Sequence, residues 1–196
     1  QVNGSCYSEN LSLRVARAVD NQNSNEDERS FARISTAISK YWITKRAPYL
    51  VFEALECHGG PGYIEESIMP RLYREAPLNS IWEGSGNVMC LDVLRALQRD
   101  KNALPALFRE LASAKGSNKN FDESFSHLKE TLQDPIDLEI EARLLTEKMA
   151  CLIQASIFIK SGEEEKVSAF CNSRLGPRWS GAFGTLPTDT SFEYII

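Results

Sequence analysis

No apolar run in the 196-residue chain reaches the ~20 residues a membrane-spanning helix needs, because Lys, Glu or Asp interrupts each one first. A transmembrane helix is excluded and a soluble chain is expected. Histidine is scarce: with only His58 and His127, far apart in the chain, no metal site is expected. Cys6, Cys57, Cys90, Cys151 and Cys171 are an odd set with wide gaps and no CxxC pair, which argues against a disulfide framework and a zinc site. A reducing compartment follows, the cytosol or the mitochondrial matrix. There is no excess of positive charge either. The 22 basic and 27 acidic residues leave a net charge of -5, spread evenly over both halves, so the cationic face of a nucleic-acid binder is missing and that partner is not expected. The chain opens on Gln with no basic and apolar leader, which predicts a processed product or a fragment. There is no internal repeat and no low-complexity tract.

What is present is ordinary for a globular protein: 42% hydrophobic, 25% charged and 9% aromatic residues, with 11 Gly and 8 Pro. A chain of this size removes roughly 70% of its unfolded surface from water. Apolar residues recur at helical spacing almost throughout, and none alternate long enough for a strand. The expected fold is all-α, an antiparallel helical bundle. A first helix is expected from Glu9 to Asp20, capped by Ser8, with Leu11, Val15, Ala18 and Val19 on its inner face. Ser24 or Asn25 caps a second, whose acidic first turn suits the helix dipole and whose pattern runs to Glu56, kinked at Pro48 and ended by Gly59 and Gly60. Residues 59–86 read as a functional loop with little helical room. Helices then follow at Asn87–Arg99, with a stripe of Val88, Leu91, Val93, Leu94 and Leu97, and at 103–115, 121–132, 136–160 and 163–174, the last with a favourable acidic start. Residues 176–196 read as an irregular tail.

Two segments carry chemistry: ALECHGGPGY at 54–63 and NSIWEGSGNVM at 79–89. Glycines at helix ends let backbone amides approach a ligand, and those opening a helix leave donors that suit phosphate; they serve equally as caps and turns. Glu83 stands between Trp82 and Gly84. An apolar ring that keeps water from a carboxylate strengthens it as a base, while the plainer reading is an acidic residue at a helix N-terminus. Cys57 and Cys90 are expected to be small buried apolar groups. Arg71, Arg74 and Glu75 are expected to form an ion-pair brace, and His127 to sit on an exposed helix face.

The run EALECHGGPGYIEESIMPRLYREAPLNSIWEGSGNVMCLDVLRAL, residues 53–97, resembles the C-terminal helical domain of the acyl-CoA dehydrogenase superfamily, where a QxHGGxGY-like turn precedes RLYRD and then IYEGT. The wording LYRE, NSIWEGSGN and CLDVLR is most similar to the alkylation-response (AidB-like) branch. The resemblance implies a flavin enzyme built of an N-terminal helical domain, a β-domain and this C-terminal domain, of which residues 1–100 are an N-terminally truncated copy. Residues 101–175 would then be additional helices packed on it.

Carried over residue by residue, the resemblance makes Glu83 the base that takes the α-proton of an acyl-CoA thioester while hydride leaves the β-carbon for FAD. Trp82, where many members have Tyr, would line the acyl pocket. Gly84, Ser85 and Asn87 would contact the cofactor, Ser85 and Asn87 replacing the more frequent Thr and Gln. Gly59 and Gly60 would reach the cofactor of a neighbouring subunit, which implies a homodimer or tetramer. The common Gln before that turn is Glu56 here, and a carboxylate repels pyrophosphate. The β-domain and the arginine-phenylalanine-glycine cofactor segment are not in this chain, so alone it is expected to turn over little. The alternative is a non-catalytic helical interaction module associated with nucleic acid, touching phosphates through Arg95 and Arg99.

Overall fold

Asn25 shows how local chemistry starts the longest element. Its side-chain oxygen accepts hydrogen bonds from the Asp27 and Glu28 amides at 2.9 and 3.2 Å, and Glu26, Asp27 and Glu28 put negative charge on the first turn. The computed structural model describes residues 2–133, 138–177, 181–186, 188 and 190, with side chains from Tyr7 onward. Helix α2 spans Glu26–Cys57 and runs on through Pro48 without interruption. It follows α1, Val2–Asn21, and the chain continues through α3 (Gly60–Tyr63), α4 (Met69–Glu75) and a 3-10 turn at Ala76–Ser80. Then come α5 (Gly86–Arg99), α6 (Ala103–Ala112), α7 (Lys119–Gln133), α8 (Ala142–Ser161) and α9 (Glu164–Arg174). The fold is all-α, and no strand occurs among the described residues.

Helix α8 is the axis. Leu145, Met149, Ala150, Leu152, Ile153, Ala155 and Phe158 are all buried, on more than one face, as a central helix requires. It touches α1, α2, α5, α6, α7 and α9. One continuous apolar core joins Leu11, Phe31, Ile34 and Ile38 to Val93, Leu107, Phe121, Phe125, Phe158 and Phe170. Buried Gln154 crosses that core. Its amide donates to the Tyr7 carbonyl at 2.9 Å while its oxygen accepts from Trp42 Nε1 at 2.9 Å, so α8 holds α1 and α2 by satisfied polar contacts. Arg14 lies 4.3 Å over the Phe31 ring and pairs with Glu28 at 2.8 Å and Glu110 at 2.9 Å; Lys160 adds a bond to Glu110 at 2.7 Å.

Several local expectations give way to tertiary contacts. Ser8 is not a cap: α1 already runs through it, because Tyr7 packs edge-on against Phe158 and Phe170 at 4.8 and 4.7 Å and anchors the preceding turn. Val19 and Val88 are exposed, since each sits at an end of its helix beyond the reach of the core. Cys57 is exposed at the end of α2, whereas Cys90, Cys151 and Cys171 are buried free thiols. Helix α8 starts at Ala142 rather than at 136: residues 138–140 form turns with Ile140 fully out in solvent, and 134–137 lie outside the described residues. Residues 59–86 hold more helix than expected, in the short pieces α3, α4 and the 3-10 turn, each with a proline as its second residue, Pro61, Pro70 and Pro77. Among the described residues after Arg174 there is no helix, but 178–180, 187, 189 and 191–196 of the expected tail lie outside them.

Candidate functional site

The second half of α2 emerges from the core, and the short helices fold back along it. Gly59, with a φ of 61°, turns the chain into α3. Gly62 is the tightly placed glycine here, because a Cβ on it would collide with the Leu55 carbonyl oxygen, whereas a Cβ on Gly60 would meet nothing within 4 Å. The sequence pointed to Gly59 and Gly60; the close approach of backbone to backbone belongs to Gly62. Exposed ion pairs lie alongside, Arg71 with Glu75 at 2.8 Å and Arg74 with Glu65 at 2.7 Å. The expected brace therefore forms with Glu65 as a further member.

Trp82, Glu83, Gly84, Ser85 and Asn87 come next as one compact turn into α5. Glu83 has a φ of 57° and is the non-glycine residue with positive φ among those described. Such a left-handed side chain costs roughly 1–2 kcal/mol, so the surrounding structure must enforce it. Gly84 follows at 113°, a conformation open to glycine, and its α-carbon faces Met89, whose sulfur would lie 2.9 Å from an added Cβ. Gly86 is buried against α2, where a Cβ would stand 2.6 Å from Lys45 Cε and 3.4 Å from Tyr41. Ser85 occupies the N-cap position of α5, yet its side chain makes no cap hydrogen bond, which leaves backbone donors of the first turn without that partner.

Residues absent from the sequence reading hold this turn. Lys40 Nζ, on α2, donates to the Trp82 carbonyl at 2.9 Å and also to the Gly84 carbonyl, gripping the backbone on both sides of Glu83. Arg143 Nε, on α8, donates to Asn87 Oδ1 at 2.5 Å. Arg33 pairs in two-pronged fashion with Asp92 at 2.9 Å and fixes α5 to α2. The one sequence signal for Lys40 is a lysine inside the otherwise buried run Ala37–Trp42. Nothing local marked Arg143 or Arg33.

Within this chain Trp82 does not enclose Glu83. Trp82 is 56% exposed, and Glu83, Ser85 and Asn87 are exposed beside it. Large hydrophobic side chains, among them Tyr49, Phe52, Tyr63, Ile68, Tyr73 and Ile81, are exposed along α2, α3, α4 and the 3-10 turn, interleaved with the exposed ion pairs. A cavity of about 460 Å³ lies elsewhere, between α1, α2, α8 and α9, with Leu13, Trp42, Arg46, Phe170 and Arg174 in its wall, and none of residues 82–87 reaches it. No group of His, Cys, Asp or Glu suited to a metal ion occurs among the described residues.

Residues 5–98 match the family described as acyl-CoA dehydrogenase, C-terminal domain. This chain belongs to the acyl-CoA dehydrogenase superfamily. It is 39% identical over 168 residues to AidB of Escherichia coli (strain K12), a match covering 86% of this chain and 30% of that protein. It is 35% identical over 113 residues to acyl-CoA dehydrogenase family member 11 of Caenorhabditis elegans, covering 58% of this chain and 18% of that one. The chain thus spans less than a third of the length of these curated relatives. Among solved structures, Caenorhabditis elegans ACDH-11 in complex with C11-CoA superposes with a TM-score of 0.75 and 25% identity, over 86% of this chain and 34% of that one. The acyl-CoA dehydrogenase match contains all of 54–63 and 79–89, so both segments singled out by their chemistry lie inside the family domain.

Proposed function

We propose that this chain is the C-terminal part of a flavin-dependent acyl-CoA dehydrogenase in which Glu83 removes the α-proton of an acyl-CoA thioester. One observation carries the reading: Glu83 is forced into a left-handed conformation, pinned by Lys40, and exposed beside Trp82 just before the uncapped start of α5. A strained, exposed acidic residue in such a setting fits a proton-transfer role better than a helix-capping one. Covering this turn would take water away from Glu83 and strengthen it as a base. Trp82 would form one wall of the acyl pocket, its ring already facing outward beside Glu83.

The donors here suit FAD. The Ser85 hydroxyl is not spent on a cap, the first turn of α5 has no side-chain cap, and Arg143 orients the Asn87 amide, so Ser85, Asn87 and the Gly84 backbone would hold the cofactor. Bound FAD supplies the acceptor for the β-hydride. Gly59 and Gly60 would face the cofactor of a second copy, since the space around Gly60 is open. The exposed apolar side chains from Tyr49 to Val88 would be covered by the β-domain and by neighbouring subunits of a homodimer or tetramer. Residues 1–100 would carry the catalytic surface, and 101–175 would buttress it. Without the rest of the protein the chain would be inactive.

In the full-length protein, Glu83→Gln should keep the flavin and the fold while acyl-CoA no longer bleaches the flavin absorbance. Bleaching at the wild-type rate would remove Glu83 from the reaction.

A further inference from the structure

We propose that Lys40 is the positioning residue for Glu83, setting where the carboxylate points by holding the peptide units on either side of it; this rests on the reading of Glu83 as the base. The geometry points to Lys40 for three connected reasons. Its ammonium donates to the carbonyls of Trp82 and Gly84, the residues flanking Glu83, so its two bonds span the strained peptide pair. Hydrogen bonds from a charged donor are the stronger kind, which lets one side chain oppose a backbone strain. The strain itself is on Glu83, whose φ of 57° is a conformation that non-glycine residues leave when nothing holds them.

The anchor is stiff. Ser39 and Tyr41 on either side of Lys40 are buried, and the α2 segment bearing it is fastened to α5 twice more, by the Arg33–Asp92 pair at 2.9 Å and by the close contact of Lys45 with Gly86. The partners of the Lys40 ammonium are backbone carbonyl oxygens. Its effect on chemistry passes through the direction of one side chain. Release of the two carbonyls would let the turn relax toward an ordinary negative φ and swing the carboxylate off its target.

The test uses the full-length, flavin-loaded protein with Lys40→Met, Lys40→Arg and Glu83→Gln. Flavin reduction is followed by stopped flow with straight-chain acyl-CoAs from butyryl-CoA to palmitoyl-CoA. Amide hydrogen exchange of residues 80–86 is followed on the same proteins without substrate. Lys40→Met should lower the limiting reduction rate about 100-fold, the scale of a misplaced catalytic group, while acyl-CoA affinity changes less than about threefold. Exchange in 80–86 should quicken, and Lys40→Arg should recover part of both properties. Wild-type exchange in 80–86 for Lys40→Met overturns the proposal. So does a wild-type reduction rate for Lys40→Met where Glu83→Gln has lost reduction. Undiminished reduction by Glu83→Gln overturns the base reading instead, and the exchange result then decides whether Lys40 holds the turn.

Discussion

Helix α2 passes through two environments without changing its secondary structure. From Ser30 to Trp42 it sits among α1, α5, α6 and α8, with Phe31, Ile34, Ala37 and Ile38 almost wholly removed from water. From Ile43 onward none of its residues is buried, and Tyr49 and Phe52 lie open beside the equally open side chains of α3, α4 and the 3-10 turn. The first region is covered by neighbouring helices and pairs Gln154 and Arg14, although the buried Ser35 and Ser39 hydroxyls have no hydrogen-bond partner among the described residues. The second leaves large apolar side chains open to solvent, and the strained Glu83 is exposed as well. Burial and exposure are separated along a single helix, and the proposed function draws on the exposed part.

Truncation should expose the contrast most strongly. Phe125, 2% exposed and in edge-on contact with Phe108 and tilted contact with Phe121, should cost about 3–5 kcal/mol as Phe125→Ala, whereas Tyr63→Ala, at 79% exposure, should cost less than about 0.5 kcal/mol. Chemical denaturation monitored by helical signal measures both; equal costs would erase the distinction between the regions.

Charge sharpens it next. Burial pushes the Glu110 carboxyl up, but hydrogen bonds and charge from Arg14 and Lys160 more than offset this and hold it below its ordinary value. A folded-state value below the unfolded one contributes stability in full above the ordinary carboxylate range, and that contribution fades as pH falls through the folded value. Glu110→Gln should therefore cost about 2 kcal/mol near neutrality and less in acid. Melting curves from pH 7 to the acid limit of the fold, with E110Q parallel to wild type throughout, would contradict this.

The smallest expected effect lies in the open region itself. Gly62→Ala forces a methyl group against the Leu55 carbonyl and should cost about 1–2 kcal/mol. Gly60→Ala meets open space and should be near neutral for the chain's own stability. A thermal shift that ranks the two the other way would show that the turn relaxes rather than resists.

The helices were largely readable from spacing and punctuation. Asn25 and the acidic residues after it, Gly162 after α8, and the apolar stripe of α5 are local signals, and local hydrogen bonds obey them. The misreadings involve contacts between distant residues. Ser8 has the chemistry of a cap, but the Tyr7 ring packed on Phe158 and Phe170 carries α1 past it. Val19 and Val88 follow helical periodicity, but periodicity names a face without saying how far along the helix a neighbour extends.

For the site, the residue types alone fitted a plain helix start as well; residues 82–87 could be named in advance because the run NSIWEGSGNVM resembles the acyl-CoA dehydrogenase pattern. That Glu83 is left-handed, that Gly62 rather than Gly60 is sterically required, and that Lys40 and Arg143 reach in from α2 and α8 could not be. Residue types and their spacing dictated most of the helices and the Asn25 cap, since those depend on bonds between near neighbours. Packing of helices far apart in the chain settled which surface stays uncovered and which way Glu83 faces, since an ammonium 42 residues away must arrive before the backbone of Trp82 has anything to bind.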